Sequence, residues 1–158
     1  MAKGLSKPLE IEDKSAFDFV KEMLRGDPTY GINFDRIQWD SAEGRYAIVE
    51  FLLCEEKQFS RGITPFTSHP NRYFQKNAQK FISLWTLAQK LEADLYLVNY
   101  SKKGTEHENE VLLMKVLNVN KNETLPVKTK DTPFTRDQFS QWFRELNLRG
   151  KYSNQKTQ

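Results

Sequence analysis

Apolar residues follow two different spacings along this chain, and the alternation between them predicts the order of its elements. Short continuous apolar runs predict buried β-strands, whereas apolar residues three or four positions apart predict helices. The predicted helices run from Ser15 to about Leu24, from Arg72 or Tyr73 to about Ala93, and onward from Thr135. The predicted strands are Ile32 to Trp39, Arg45 to Glu56, Leu95 to Tyr100 and Val111 to Val119.

The long central helix and the strands on either side of it predict how the sheet is built. A strand, a helix and a further buried strand form a βαβ crossover, and such a crossover makes its two strands parallel. Residues 40–44 predict a hairpin loop, and residues 120–133 a polar connection. The buried stripe expected on the long helix is Phe74, Ala78, Phe81, Ile82, Trp85, Ala88 and Leu91. The predicted fold class is therefore α/β, with a central mixed β-sheet flanked by helices.

The length of the chain, 158 residues, fits a single domain with a substantial core. We expect a flexible lead-in at residues 1–12, one domain at 13–148 and a disordered tail at 149–158. No apolar run has the length of a membrane span, and the first residues carry no apolar signal region. The lone cysteine, Cys54, excludes an internal disulfide. These features predict a cytoplasmic protein without a membrane partner.

Basic residues are concentrated in one part of the chain although the net charge is only +3. Residues 57–90 contain six Lys and Arg and no Asp or Glu. Within this segment Arg72, Lys76 and Lys80 recur every fourth residue, so they share one helix face, and Gln75 and Gln79 flank them. A basic face without acids predicts contacts with nucleic-acid phosphates. The alternative is a solvated polar face opposite the apolar stripe.

One acid lies in the middle of the most apolar predicted strand. Glu50 follows four residues of the run from Tyr46 and precedes four more. A carboxylate at such a position is costly to bury unless it is paired or binds a metal. Asp35 lies on the predicted neighbouring strand, so Asp35 and Glu50 predict a metal site at the edge of the sheet. The alternative for Glu50 is a salt bridge or a strand end that faces solvent.

The order of elements, with Asp35 in FDRI, Glu50 in VEF and RYFQKNAQK opening the long helix, resembles the PD-(D/E)xK nuclease superfamily. The resemblance covers residues 15–100. It implies a restriction-endonuclease-like core, Asp35 and Glu50 as catalytic metal ligands, Mg²⁺ or Mn²⁺ as cofactor and DNA as partner.

The motif is degenerate, because Leu52 stands where the family has its lysine. Related families carry the lysine on the following helix, where this chain has Lys76 and Lys80. We expect Lys76 to take the catalytic role before Lys80, and Lys57, just past the strand, to come third.

Two classes of function follow from this resemblance and from the charge distribution. The first is a metal-dependent DNA nuclease, with a Mg²⁺-dependent endonuclease as the expected enzyme, or a DNA-binding relative without catalysis; a homodimer is among the expected assemblies. The alternative is a small intracellular protein–protein interaction scaffold of phage or mobile-element origin. His69 has two interpretations, a general base near a scissile phosphate or a hydrogen-bonding surface residue.

Overall fold

The computed structural model of this chain describes residues 14–150. The described residues divide into two compact units, 14–33 and 34–150. The single domain expected over 13–148 stays a prediction. The predicted lead-in at residues 1–12 and residues 151–158 of the predicted tail lie outside the described part. Among the helices of residues 14–150, none is both long enough and apolar enough to cross a membrane.

The first unit contains a single described helix, α1 (Ser15–Leu24). None of its residues is buried, and its apolar positions Phe17, Val20 and Met23 are all exposed. The helix ends where Arg25 and then Gly26 take positive φ angles of 50° and 90°. Glycine adopts this left-handed backbone without a steric penalty, so Gly26 favours a helix end at this point. The predicted end at about Leu24 is confirmed.

The second unit is built on a five-stranded mixed sheet. Its strands are β1 (Arg36–Asp40), β2 (Arg45–Leu53), β3 (Asp94–Tyr100), β4 (Val111–Val119) and β5 (Val127–Phe134), which lie side by side in chain order. β2 and β3 are parallel, and every other neighbouring pair is antiparallel. The predicted parallel crossover and the α/β class with a mixed sheet and flanking helices are therefore confirmed.

Helices complete the second unit. They are α2 (Phe74–Lys90), α3 (Arg136–Arg149) and two short 3₁₀ helices, Glu56–Arg61 and Pro70–Arg72. Side chains alternate between the faces of a strand, so β2 presents two surfaces. Ala47 and Val49 pack in a cluster with Leu146 of α3. Glu50 belongs to the opposite face, where it meets Lys80 of α2.

The strand boundaries differ from the prediction at Asp35 and over residues 120–133. β1 begins at Arg36, so Asp35 precedes the strand instead of lying within it. The connection predicted at 120–133 contains most of β5. β5 is an edge strand with charged residues and Pro133, and edge strands tolerate both because one side needs no ladder partner. Its sequence therefore carries little of the apolar signal by which strands are predicted.

The apolar stripe of α2 is shifted relative to the prediction. Its buried residues are Phe74, Phe81, Leu84 and Ala88, whereas the predicted Ala78, Ile82 and Trp85 are half-buried and Leu91 is 43% exposed. Asn77 interrupts the helix with φ −130° and ψ 18°. The buried residues nevertheless keep helical spacing across this interruption, and the stripe runs through Leu84 instead of through Ile82 and Trp85.

The last helix begins as the sequence predicted. Thr135 is the N-cap of α3, and it forms a capping box with Gln138 in which each side chain bonds the other residue's backbone N–H. Arg149, at which the predicted tail starts, is the last residue of α3. Its guanidinium donates to both carboxylate oxygens of Asp40, at 2.7 and 3.3 Å. Helix α3 is thereby tied to the end of β1.

Asp40, the last residue of β1, also stabilises the turn that follows it. Its Oδ1 accepts the N–H of Ala42 at 3.0 Å in the turn that joins β1 to β2. Burial disfavours the charged form of Asp40, but the hydrogen bond and charge of Arg149 outweigh burial, so its pKa is lowered from the usual 3.8.

We expect Asp40→Asn to reduce the free energy of unfolding by about 2 kcal/mol at pH 7, because a charged hydrogen bond to Arg149 is lost. A depressed folded-state pKa contributes stability that is present above pH 3.8 and lost as pH falls through the folded pKa. The difference between the two proteins should therefore disappear in strong acid. Urea unfolding at pH 7 and in strong acid measures this difference in the free energy of unfolding. Glu123→Gln, at an exposed acid, is the control, and equal losses in the two variants would contradict the prediction.

Candidate active site

Asp35 and Glu50 continue the β1–β2 ladder with their side chains. The last backbone pair joins Arg36 to Val49. Beyond it the N–H of Asp35 donates to Glu50 Oε2 at 3.1 Å, and the N–H of Phe51 donates to Asp35 Oδ2 at 2.8 Å. Because these side-chain hydrogen bonds replace the next backbone pair of the ladder, β1 begins at Arg36. The same hydrogen bonds hold the two acids together at the end of the strand pair, as the sequence predicted.

Helix α2 supplies a cation that contacts Glu50. Lys80 Nζ lies 2.6 Å from Glu50 Oε1, and the side chains are 35% and 6% exposed respectively. Leu52 is buried on the same strand face, two residues beyond Glu50. Leu52 therefore packs in the core, and Lys80 of α2 contacts the acid.

The order of the lysines in catalysis stays a prediction, and the structure shows which of them contacts Glu50. Lys80, expected second, makes the contact, while Lys76 is exposed and forms no ion pair within residues 14–150. Helix α2 begins at Phe74, and Lys80 lies one turn further along it than Lys76. Lys57 pairs instead with the exposed Glu55 at 2.9 Å.

Burial is the largest influence on the Glu50 carboxyl. It raises the pKa above the usual 4.5, and the negative charge of Asp35 acts in the same direction. The hydrogen bond and charge of Lys80 and the N–H of Asp35 oppose the rise without cancelling it. The ionised form of Glu50 is therefore strained at neutral pH, and an additional cation would relieve it.

The two acids fit the donor set of a hard divalent cation. Mg²⁺ is usually held by one or two carboxylates, and its other positions are taken by water and substrate phosphate. Within residues 14–150 no group of three or more His, Cys, Asp or Glu could hold a metal ion, so Asp35 and Glu50 would be the carboxylate ligands by themselves. Mg²⁺ and Mn²⁺ stay predictions.

A cavity of about 520 Å³ lies beside this cluster. We call it the basic cavity, because Arg61, Arg72, Lys76 and Lys80 line it and no acidic residue does. Its walls come from β2, β3, α2 and the two 3₁₀ helices. Arg72 lies in the second 3₁₀ helix, so the basic line predicted on one helix is built from two elements. All three predicted cations nevertheless reach the same cavity.

The two glutamines of the predicted nucleic-acid surface lie elsewhere. Gln75 and Gln79 are exposed on α2, and neither lines the basic cavity. Gln79 Nε2 donates to Ser83 Oγ at 3.0 Å along the helix. Their role in binding nucleic acid stays a prediction that the cavity does not support.

His69 has a structural position. Its Nδ1 accepts the N–H of Asn71 at 3.2 Å, which caps the second 3₁₀ helix. The proton is therefore on Nε2, which donates to Thr129 Oγ1 of β5 at 2.9 Å. Burial lowers the pKa of the imidazole below 6.5, so the ring is neutral at pH 7. With both nitrogens engaged, His69 holds the loop to β5, and the interpretation as a hydrogen-bonding residue fits its contacts.

Sequence reasoning missed Arg61 and Asn99. Arg61 ends the first 3₁₀ helix and lines the basic cavity, and its only signal was membership of the acid-free segment 57–90. Asn99 lies on β3 opposite Leu52 and is 1% exposed. An amide inside the apolar run of β3 was the signal that could have identified it.

No protein-family model, no curated protein and no solved structure matches this chain. The candidate site therefore has to be interpreted from its own geometry and charge.

Glu50→Gln should stabilise the protein at pH 7, because it removes a buried negative charge beside Asp35. A raised folded-state pKa means that the contribution of Glu50 to stability is complete below pH 4.5 and is lost as pH rises through the folded pKa. The melting temperature of the variant should exceed that of the wild type at pH 7, and the gain should shrink at about pH 4.

The matched control is Glu55→Gln, because Glu55 is an exposed acid near the same strand with a lysine partner. We expect its melting temperature to stay the same or fall slightly. A Glu50→Gln protein that melts below the wild type at pH 7 would contradict the idea that the charged form is strained.

Proposed function

We propose that this chain is a metal-dependent nuclease that hydrolyses DNA phosphodiesters and has a restriction-endonuclease-like core. The observation that carries the proposal is the contact between Lys80 and Glu50 beside Asp35. It brings together two acids and a lysine, the set of side chains that the PD-(D/E)xK motif combines. The sequence has no lysine two residues after Glu50, and α2 supplies one that contacts Glu50. An interaction scaffold would not require such a lysine, whereas a nuclease would.

The chemistry of this set suits phosphodiester hydrolysis. Asp35 and Glu50 would hold Mg²⁺ or Mn²⁺, which supplies polarisation of the phosphate and a lower pKa of bound water. Lys80 carries a positive charge next to this position and would stabilise the negative charge that develops on the phosphate oxygens. Lys76 would contact substrate phosphates from the cavity wall.

Nucleic acid is supported as the partner by the charge of the basic cavity. Four cations line it without any acid. A concave surface of one sign raises the local concentration of an oppositely charged partner. The same surface would serve a relative that binds DNA without cutting it, so cleavage has to be measured directly.

A second function, protein–protein interaction, is favoured by one different observation. The apolar positions Phe17, Val20 and Met23 of α1 are exposed at 63%, 52% and 48%. An exposed amphipathic helix suits an interaction scaffold, and a homodimer is one arrangement that would cover it. This feature and the basic cavity belong to different units, so a scaffold role and a nuclease role can be tested separately.

The predicted metal site has a direct test. Asp35→Ala and Glu50→Ala should each abolish Mn²⁺ binding measured by calorimetry, because each removes one of two carboxylate ligands. Glu55→Ala, an exposed acid paired with Lys57, should bind as the wild type does. Equal Mn²⁺ affinity in all four proteins would remove the metal site from the proposal.

Cleavage of plasmid and single-stranded DNA with Mg²⁺ or Mn²⁺ tests the nuclease itself. Lys80→Ala should lower the rate by about 100-fold, the scale of losing one electrostatic stabiliser. Lys76→Ala should act mainly on KM, because Lys76 lines the cavity without contacting Glu50.

Lys90→Ala is the matched control in that assay, since Lys90 is exposed at the other end of the same helix. It should cleave at the wild-type rate. A wild-type protein that cuts neither substrate with either metal would overturn the nuclease proposal, and equal rates in Lys80→Ala and Lys90→Ala would remove Lys80 from the chemistry.

A further inference from the structure

The basic cavity contains cations that the protein itself does not neutralise. Lys80 is paired with Glu50, but the side chains of Arg61, Arg72 and Lys76 form no ion pair or hydrogen bond within residues 14–150. All three are exposed and line the same cavity of about 520 Å³. Like charges held together repel one another, so this arrangement favours an anionic ligand of more than one charge.

A buried acceptor in the cavity wall also lacks a partner. Asn99 lines the cavity, and its Nδ2 donates to the carbonyl oxygens of Pro65 at 3.1 Å and Ser68 at 2.6 Å. These two bonds fix the amide orientation, so Oδ1 is the free acceptor. No donor in the described part of the chain reaches it. An unsatisfied buried acceptor costs about 1–3 kcal/mol, so a ligand N–H or O–H is favoured there.

The two observations indicate a ligand that joins a phosphate to a group bearing an N–H or O–H. We infer that the basic cavity binds the phosphate monoester at the end of a nucleic-acid strand, with the attached nucleoside donating to Asn99 Oδ1. The inference rests on the proposed function and deepens it, because it names strand ends as the substrate class.

Charge separates a strand end from a strand interior. An internal phosphodiester carries one negative charge, whereas a terminal monoester carries about −1.5 to −2 at pH 7 and offers three acceptor oxygens. Two guanidinium groups, Arg61 and Arg72, suit such a group because each can donate two parallel hydrogen bonds. The cavity volume also lies in the range of about 300–1,000 Å³ that small-ligand sites occupy.

Lys80 connects the cavity to the acidic cluster. It lines the cavity and contacts Glu50 at 2.6 Å. A strand end held by Arg61, Arg72 and Lys76 would therefore lie next to Asp35 and Glu50. Cleavage next to the bound strand end would release short products from that end.

The test compares three oligonucleotides of one sequence that carry a 5′-phosphate, a 3′-phosphate or hydroxyls at both ends. Fluorescence anisotropy with chelator present measures binding without cleavage. One phosphorylated form should bind at least about tenfold tighter than the hydroxyl form, the effect of one added charged hydrogen bond or more. Which form is preferred identifies the strand end.

Two variants assign that preference to the cavity. The double variant Arg61→Gln, Lys76→Gln should lose the preference, and Lys90→Gln should keep it. The three positions are exposed, so the fold should tolerate the changes, and melting temperatures verify this. A deoxynucleoside monophosphate should also displace the preferred oligonucleotide at a lower concentration than inorganic phosphate, because its nucleoside adds a donor for Asn99 to a phosphate that is itself held by the cations.

Equal affinity for the three oligonucleotides, or a preference that survives in the double variant, would overturn the inference. The proposed function fails separately. Cleavage of closed circular and hydroxyl-ended DNA without preference for a phosphorylated end would reject the strand-end site and leave the nuclease. A binding preference without cleavage under Mg²⁺ or Mn²⁺ would reject the nuclease and leave a site that binds strand ends.

Discussion

The buried carboxylate of Glu50 is the constraint on which this arrangement depends. Its desolvation is unfavourable, and the pKa is raised even though Lys80 and the N–H of Asp35 both bond to it. Those contacts join three elements, because Asp35 precedes β1, Glu50 lies on β2 and Lys80 on α2. A packed apolar residue at this position would be expected to stabilise the fold more. A strained acid in the middle of a strand is typical of sites where function takes precedence over stability.

Lys80 gives the site its organisation, because it belongs both to the acidic cluster and to the basic cavity. Its positive charge balances the negative charge of Glu50. The same charge adds to the positive potential of the cavity, to which Arg61, Arg72 and Lys76 also contribute. The absence of acids from residues 57–90 explains why the cavity is basic. That segment supplies most of the residues that line the cavity, and an acid among them would have reduced its positive charge.

Local patterns in the sequence determined much of the architecture. The order strand, helix, strand predicted the parallel pairing of β2 with β3, because a crossover of this length cannot join antiparallel neighbours by a hairpin. The helix predicted onward from Thr135 does begin there, because its capping box with Gln138 involves only residues three positions apart. Asp35 and Glu50 were brought together as predicted, because the short hairpin between their strands fixes their register.

Only the tertiary structure decided which lysine meets Glu50 and which polar groups surround it. The choice of Lys80 depends on how α2 docks on the sheet, because the docking decides which turn of the helix faces Glu50. Arg61 and Asn99 come from segments remote in sequence, and they line one cavity only because the fold brings the first 3₁₀ helix and β3 together. Periodicity and capping act over a few residues, so they predict elements. The site is formed by contacts between elements. The free energy of those contacts depends on two or more elements together, so the sequence of a single element does not predict it.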